Sequence, residues 1–188
     1  LSEKIRSFIS VDITDDQLLS KLIDLQQMFV GTGADLKLVE RANLHFTMRF
    51  LGDVSTPTLD KICEEMKTIS FRPFEINMRG VGVFPNIRRI NVIWVGVVEG
   101  ETEIFNLFNQ IESKIKKIGF PPDPKGFSPH LTIARTRTGR NKDKLAKLVT
   151  ELSHYDVGRM KVDALRLKKS VLTPKGPIYS TVYEVKAQ

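Results

Sequence analysis

Two short segments of this chain share one pattern. His45-Phe46-Thr47-Met48 and His130-Leu131-Thr132-Ile133 each run His, apolar, Thr, apolar. Both sit in alternating stretches, Asn43–Leu51 and Phe127–Arg135, that predict β-strands. Successive strand side chains point to opposite faces. Each segment therefore sets an imidazole and a hydroxyl side by side on one face, anchored by apolar residues behind. The two histidines lie 130 − 45 = 85 residues apart in a chain of 188. Helical patterns flank both. Such spacing predicts a duplicated unit whose two lobes face each other across a cleft.

The remaining patterning fits that frame. Arg6–Ile13 alternates as a strand, and Thr14-Asp15-Asp16 opens a helix carrying Leu18, Leu19, Leu22, Ile23 and Leu25. Lys37–Val39 reads as a short strand, and Gly52-Asp53 as the turn that ends the first histidine strand. Thr56-Pro57 starts a second helix. Phe74–Phe84 and Ile90–Val98 read as strands joined around Pro85-Asn86, and Glu101–Ile118 is a helix with a continuous apolar stripe. Asn141–Leu152 is helical, and Val162–Leu167, Ser170–Leu172 and Tyr179–Val185 close the chain as strands. Alternating strands with separate amphipathic helices predict an α+β fold, not a doubly wound parallel sheet. Gly80-Val81-Gly82 lacks the rest of any phosphate-binding glycine motif and reads as a bulge or a close approach within a strand.

Lys and Arg number 29 against 22 Asp and Glu, a net charge of +7, which favours an anionic partner. The one cysteine, Cys63, forms no intrachain disulfide and no Cys-based zinc site, and fits a reducing cytoplasmic setting. No apolar run approaches the roughly 18 residues that span a membrane, so no membrane association is expected.

Two opposed imidazoles suit phosphoryl transfer on RNA. One neutral ring deprotonates the attacking oxygen, and one protonated ring protonates the leaving oxygen. In-line displacement places those oxygens on opposite sides of phosphorus. Hydroxyls beside the rings can donate to the non-bridging oxygens as charge develops. The scheme needs neither metal nor other cofactor.

At these residues the chain resembles the 2H phosphoesterases, in particular the branch of RNA 2′,3′-cyclic phosphodiesterases once called 2′-5′ RNA ligases. The likeness covers the opening strand Arg6–Asp12, the contexts Asn43–Gly52 and Ser128–Arg135, and a closing signature of Leu167, Ser170, Leu172, Gly176-Pro177 and Tyr179. The segment Leu1–Ile5 ahead of the opening strand departs from the family's usual start. The resemblance implies residues 1–188 as a single domain of two interleaved, pseudo-symmetric lobes. Each lobe would be an antiparallel sheet backed by helices, with the active cleft between them. It implies His45 as proton donor, His130 as proton acceptor, a 2′-phosphate product and a monomeric enzyme. RNA with a 2′,3′-cyclic end is the implied partner, tRNA halves among the candidates. Ligation to a 2′-5′ linkage would use the same histidines, and a non-catalytic RNA-binding module is the rival from another class.

An isolated strand histidine is more often a hydrogen-bonded core residue; two of three histidines in matched motifs weigh towards catalysis. Thr47 and Thr132 are expected to contact phosphate. Strict alternation sends Arg135 to the face opposite His130, whereas the resemblance has it reach the phosphate. Arg49, at an even offset from His45, is expected to share its face and meet RNA. Phe8 and Phe50 are candidates to stack a nucleobase or to pack in the core. Trp94 is expected in the core, and His154 at the surface. Lys168-Lys169 and the run Arg135–Arg140 are read as local positive charge along an RNA backbone, or as a solvated face.

Overall fold

The computed structural model describes residues 3–188. Leu1 and Ser2, the start of the leading segment, lie outside the described residues. The chain runs β1 (Lys4–Asp12), α1 (Asp16–Val30), β2 (Leu36–Leu38), β3 (His45–Ser55), α2 (Thr56–Met66), β4 (Phe74–Asn86), β5 (Arg89–Glu99), α3 (Glu101–Lys117), β6 (His130–Thr136), α4 (Lys142–Glu151), β7 (Asp156–Val162), β8 (Ala164–Thr173) and β9 (Gly176–Lys186). Helix starts follow capping chemistry. The Asp15 carboxylate accepts from the Leu18 N–H, and the Ser55 hydroxyl from the Thr58 N–H.

All strands pair antiparallel in one curled sheet of order β7-β4-β5-β6-β3-β1-β8-β9, with β2 added to β6. The order is symmetric about its centre. The two histidine strands, β3 and β6, lie side by side and meet through the pair Phe46↔Leu131. The unit β1–α1–β3 is matched by β5–α3–β6. The outer strands are interleaved, because β4 follows the first unit in sequence but pairs with β5 of the second, and β8 follows the second but pairs with β1. This is the α+β architecture expected, with its two halves sharing a continuous sheet.

The helices bury their stripes on one side of that sheet. Leu22, Leu25 and Phe29 of α1, Ile62 and Met66 of α2, and Ile104 and Ile111 of α3 join Phe46, Met48, Leu131 and Ile133 in one hydrophobic core. Burial of such side chains is worth roughly 1.5–3 kcal/mol each. The Gln26 side chain of α1, 2% exposed, donates to the carbonyls of Val39 and Ile133 at 2.8 Å each. It ties the helix layer to the second histidine strand. The other side of the sheet faces a cleft.

Several boundaries differ from the sequence expectation. β3 does not turn at Gly52-Asp53: Gly52 takes φ +75° and the strand continues to Ser55. The span Val162–Leu167 is not one strand, since Asp163 separates β7 from β8, and β7 was not foreseen. Ser170–Leu172 belongs to β8. The strand expected from Phe127 begins at His130, because the segment before it is a proline-rich loop. The glycine pair behaves as read: Gly80 takes φ +82° at a register shift in β4, and Gly82 lies under the Trp94 ring, where a Cβ would collide.

Candidate active site

Both histidine strands carry the same irregularity at the same place. In β3, Ile9 pairs with Arg49 and Ser10 with Thr47, so Met48 is the extra residue. In β6, Ile93 pairs with Ala134 and Trp94 with Thr132, so Ile133 is the extra residue. Each is a one-residue bulge three positions after the histidine, and a bulge reverses the side-chain alternation beyond it. Residues His+3 and His+4 both face the core, and His+5 returns to the cleft. Arg135 and Phe50 are the matching His+5 residues, and both are exposed on the cleft side.

The same bulge overturns the expectation for Arg49. It points into the helix layer, not the cleft, and is 6% exposed. Its Nε lies 2.8 Å from Glu112 Oε1, an ionic contact without hydrogen-bond alignment. Its Nη1 lies 3.1 Å from Asp123 Oδ2, and its Nη2 donates to the Pro121 carbonyl at 2.5 Å. A strict period of two cannot show this, because one inserted residue changes the face.

His45 and His130 line one cleft of about 540 Å³ together with Thr47, Thr132, Arg135 and Phe50. Their rings are held alike. His45 Nδ1 lies 2.6 Å from the Asn43 carbonyl, and His130 Nδ1 lies 2.7 Å from the Ser128 carbonyl, each two residues upstream. A carbonyl only accepts, so Nδ1 carries the proton and Nε2 of each neutral ring is left as the base. The Thr47 hydroxyl lies 3.0 Å from His45 Nε2 and donates to it when the ring is neutral. Among the described residues no protein group hydrogen-bonds His130 Nε2.

The surroundings of the two rings differ. His45 packs against Phe8 (centroids 5.0 Å) and edge-on to Tyr179 (5.5 Å). Phe8 lines the cleft yet is 4% exposed, its ring packed against His45 and Tyr179, which fits the second of its two readings, packing in the core. Asp12 pairs across from His45 in the β1–β3 register. Its carboxylate accepts from Lys168 at 2.6 Å and from the Ser10 hydroxyl at 2.8 Å. Lys168 is thus a buried ion-pair partner and not a surface charge. Burial pushes the His45 imidazole below its usual value, the bond to Asn43 and the Asp12 charge oppose that shift, and Lys168 adds to it. His130 instead meets aromatic rings: Phe84 edge-on at 4.9 Å and Trp94 at 6.2 Å. Trp94 therefore lies on the cleft side of β5 and outside the core where it was expected.

Phe50 is 44% exposed and carries the Arg6 guanidinium 4.5 Å above its ring. Arg6, Lys37, Arg137 and Lys175 add positive charge to the cleft, against Glu40. His154 is exposed and away from the cleft, as read. Asp12 and Tyr179 entered the sequence reading only within the opening and closing signatures of the resemblance, and neither they nor Phe84 and Trp94 were given a role in the site. They come from strands that only sheet pairing brings beside the histidines, so local pattern carries no signal for them. Among the described residues, no three His, Cys, Asp or Glu side chains gather into a metal-binding group.

A curled antiparallel sheet with two pseudo-equivalent His–x–Thr units on one cleft face defines a two-histidine phosphoesterase scaffold. A family model described as LigT like Phosphoesterase matches the chain twice, over residues 11–94 and 95–179, each match holding one motif. The chain is 41% identical to a protein of Aeropyrum pernix named RNA 2′,3′-cyclic phosphodiesterase, over 90% of this chain and 97% of that one. It is 42% identical to a protein of the same name from Methanothermobacter thermautotrophicus, over 94% of this chain and 96% of that one. The crystal structure of apo LigT from Escherichia coli superposes with a TM-score of 0.79 at 21% identity, covering 99% of both chains. The chain belongs to the LigT-like phosphoesterase family. No helix among the described residues is long and apolar enough to cross a membrane.

Proposed function

We propose that this chain hydrolyses terminal 2′,3′-cyclic phosphates of RNA to 2′-phosphates by metal-independent acid–base catalysis between His45 and His130. The observation that carries the reading is the pair of imidazoles, each fixed through Nδ1 and sharing one basic cleft. The names of the archaeal relatives support the same activity. Neutral His130 takes a proton from water as the water oxygen bonds to phosphorus. The bond from phosphorus to O3′ breaks, and His45, as imidazolium, delivers its Nε2 proton to O3′. The bond to O2′ survives, so the product carries a 2′-phosphate and a 3′-hydroxyl. Thr47, Thr132 and Arg135 face the cleft and bind the non-bridging oxygens, where charge-assisted donors act most strongly. Phe50 offers its ring to the terminal base. The donor role of His45 follows the family resemblance; burial disfavours the imidazolium that role needs, and the Asn43 carbonyl and the Asp12 carboxylate oppose that burial effect. The substrates are RNA ends, tRNA halves among them, and the enzyme acts as a cytoplasmic monomer.

The test is incubation in EDTA with a short RNA bearing a 2′,3′-cyclic phosphate, beside His45→Ala and His130→Ala. A 2′-phosphate product, lost in both variants, is expected. A 3′-phosphate product reverses the assignment of the leaving oxygen, and no turnover by the wild type ends the proposal.

A further inference from the structure

A second groove, of about 590 Å³, lies beside the catalytic cleft and shares Arg137 with it. Its walls are the tip of the β4–β5 hairpin and the loop between β6 and α4. They present Arg88, Arg89, Arg137, Arg140 and Lys142, with Asp143 the one carboxylate. Among the described residues, Arg88, Arg89, Arg140 and Lys142 have no carboxylate oxygen within 4.0 Å of their cationic nitrogens. Arg137 reaches Asp35 only at 3.9 Å. The frame is tied down. Asn86 Oδ1 accepts from the Arg88 and Arg89 N–H groups at 3.0 and 3.1 Å, fixing the hairpin tip. The Thr136 hydroxyl donates to the Ile90 carbonyl at 2.6 Å, joining the two walls. Five cations on a hydrogen-bonded frame, with one carboxylate among them, repel one another until an extended polyanion lies between them.

We propose that this groove binds the sugar–phosphate backbone of the RNA on the 5′ side of the nucleotide held in the cleft. The identity of the polyanion rests on the phosphodiesterase reading above. The groove makes the enzyme prefer an RNA chain over a cyclic mononucleotide, through phosphate contacts that read no base.

The test compares the wild type with Arg88→Glu/Arg140→Glu/Lys142→Glu, residues outside the catalytic cleft. Binding of a labelled dodecamer RNA ending in a 2′-phosphate is followed by fluorescence anisotropy across a salt series. Turnover is measured on the same dodecamer with a cyclic end and on uridine 2′,3′-cyclic monophosphate. The variant should bind the dodecamer at least about tenfold more weakly, with a log–log salt slope shallower by about 0.7 per lost contact. Its turnover of the mononucleotide should stay within about twofold, which also reports an intact fold. Unchanged dodecamer affinity and slope would overturn the proposal, as would equal losses on both turnover substrates. A wild type that binds through the groove but turns over neither substrate ends the phosphodiesterase reading and leaves the groove's role standing.

Discussion

Replacing Arg49 with methionine tests the link between the two histidine strands. Arg49 sits four residues after His45, and its guanidinium holds Glu112 of α3, Asp123 and the Pro121 carbonyl. The loop containing Pro121 and Asp123 runs to Ser128, whose carbonyl orients His130. Arg49→Met keeps much of the side-chain volume but leaves two carboxylates without their cation. Breaking a buried pair costs about 3–5 kcal/mol. The carboxylates here are 20% and 23% exposed and regain some hydration, so about 2–3 kcal/mol is the fitting figure. For a chain of this size that lowers Tm by roughly 4–12 °C. Urea unfolding should show a lower midpoint with an unchanged m-value. Arg49→Met/Glu112→Gln/Asp123→Asn removes the stranded charges and should recover at least half of the loss. Neither variant holds the Pro121 carbonyl, so both should keep a kcat deficit of about tenfold with little change in KM, from misplacement of His130. A single variant within about 0.5 kcal/mol of wild type would refute the energetic argument. A triple variant with full kcat would refute the positioning argument.

The His45 shift sets two pH dependences. A donor must be protonated, and burial holds the free His45 ring below 6.5, so the falling limb of kcat/KM should lie below ordinary imidazole titration. A bound phosphate anion opposes the burial effect, so the corresponding limb of kcat should move to higher pH; coincident limbs would contradict the assignment. In stability the sign is opposite to that of a salt-bridged histidine. The unfolded chain binds the His45 proton more readily, so this contribution is present above pH 6.5 and is lost as pH falls through the depressed folded value. His45→Gln should flatten that part of the stability curve. Gly82→Ala should displace the chain's single tryptophan, Trp94, costing about 1–3 kcal/mol by overpacking and shifting its emission to the red. An unchanged emission maximum would show that the ring does not lie on Gly82.

The paired motifs, their strand setting, the flanking amphipathic helices and the α+β class were legible in the residues, because each is a local pattern with a fixed period. The two histidines could be paired by their shared spacing to threonine before any fold was known. What alternation could not show were the two matched bulges, since a bulge is a property of two strands in register. Those bulges alone decide that Arg135 and Phe50 face the cleft and that Arg49 is buried as a brace. The same holds for the neighbours of the rings. Asp12 and Tyr179 beside His45, and Phe84 and Trp94 beside His130, arrive through cross-strand pairing of segments far apart in the chain. Local sequence determined which side chains are candidates for the chemistry; tertiary structure decided which faces they occupy and what surrounds them, because the strand register that sets both exists only once the sheet has formed.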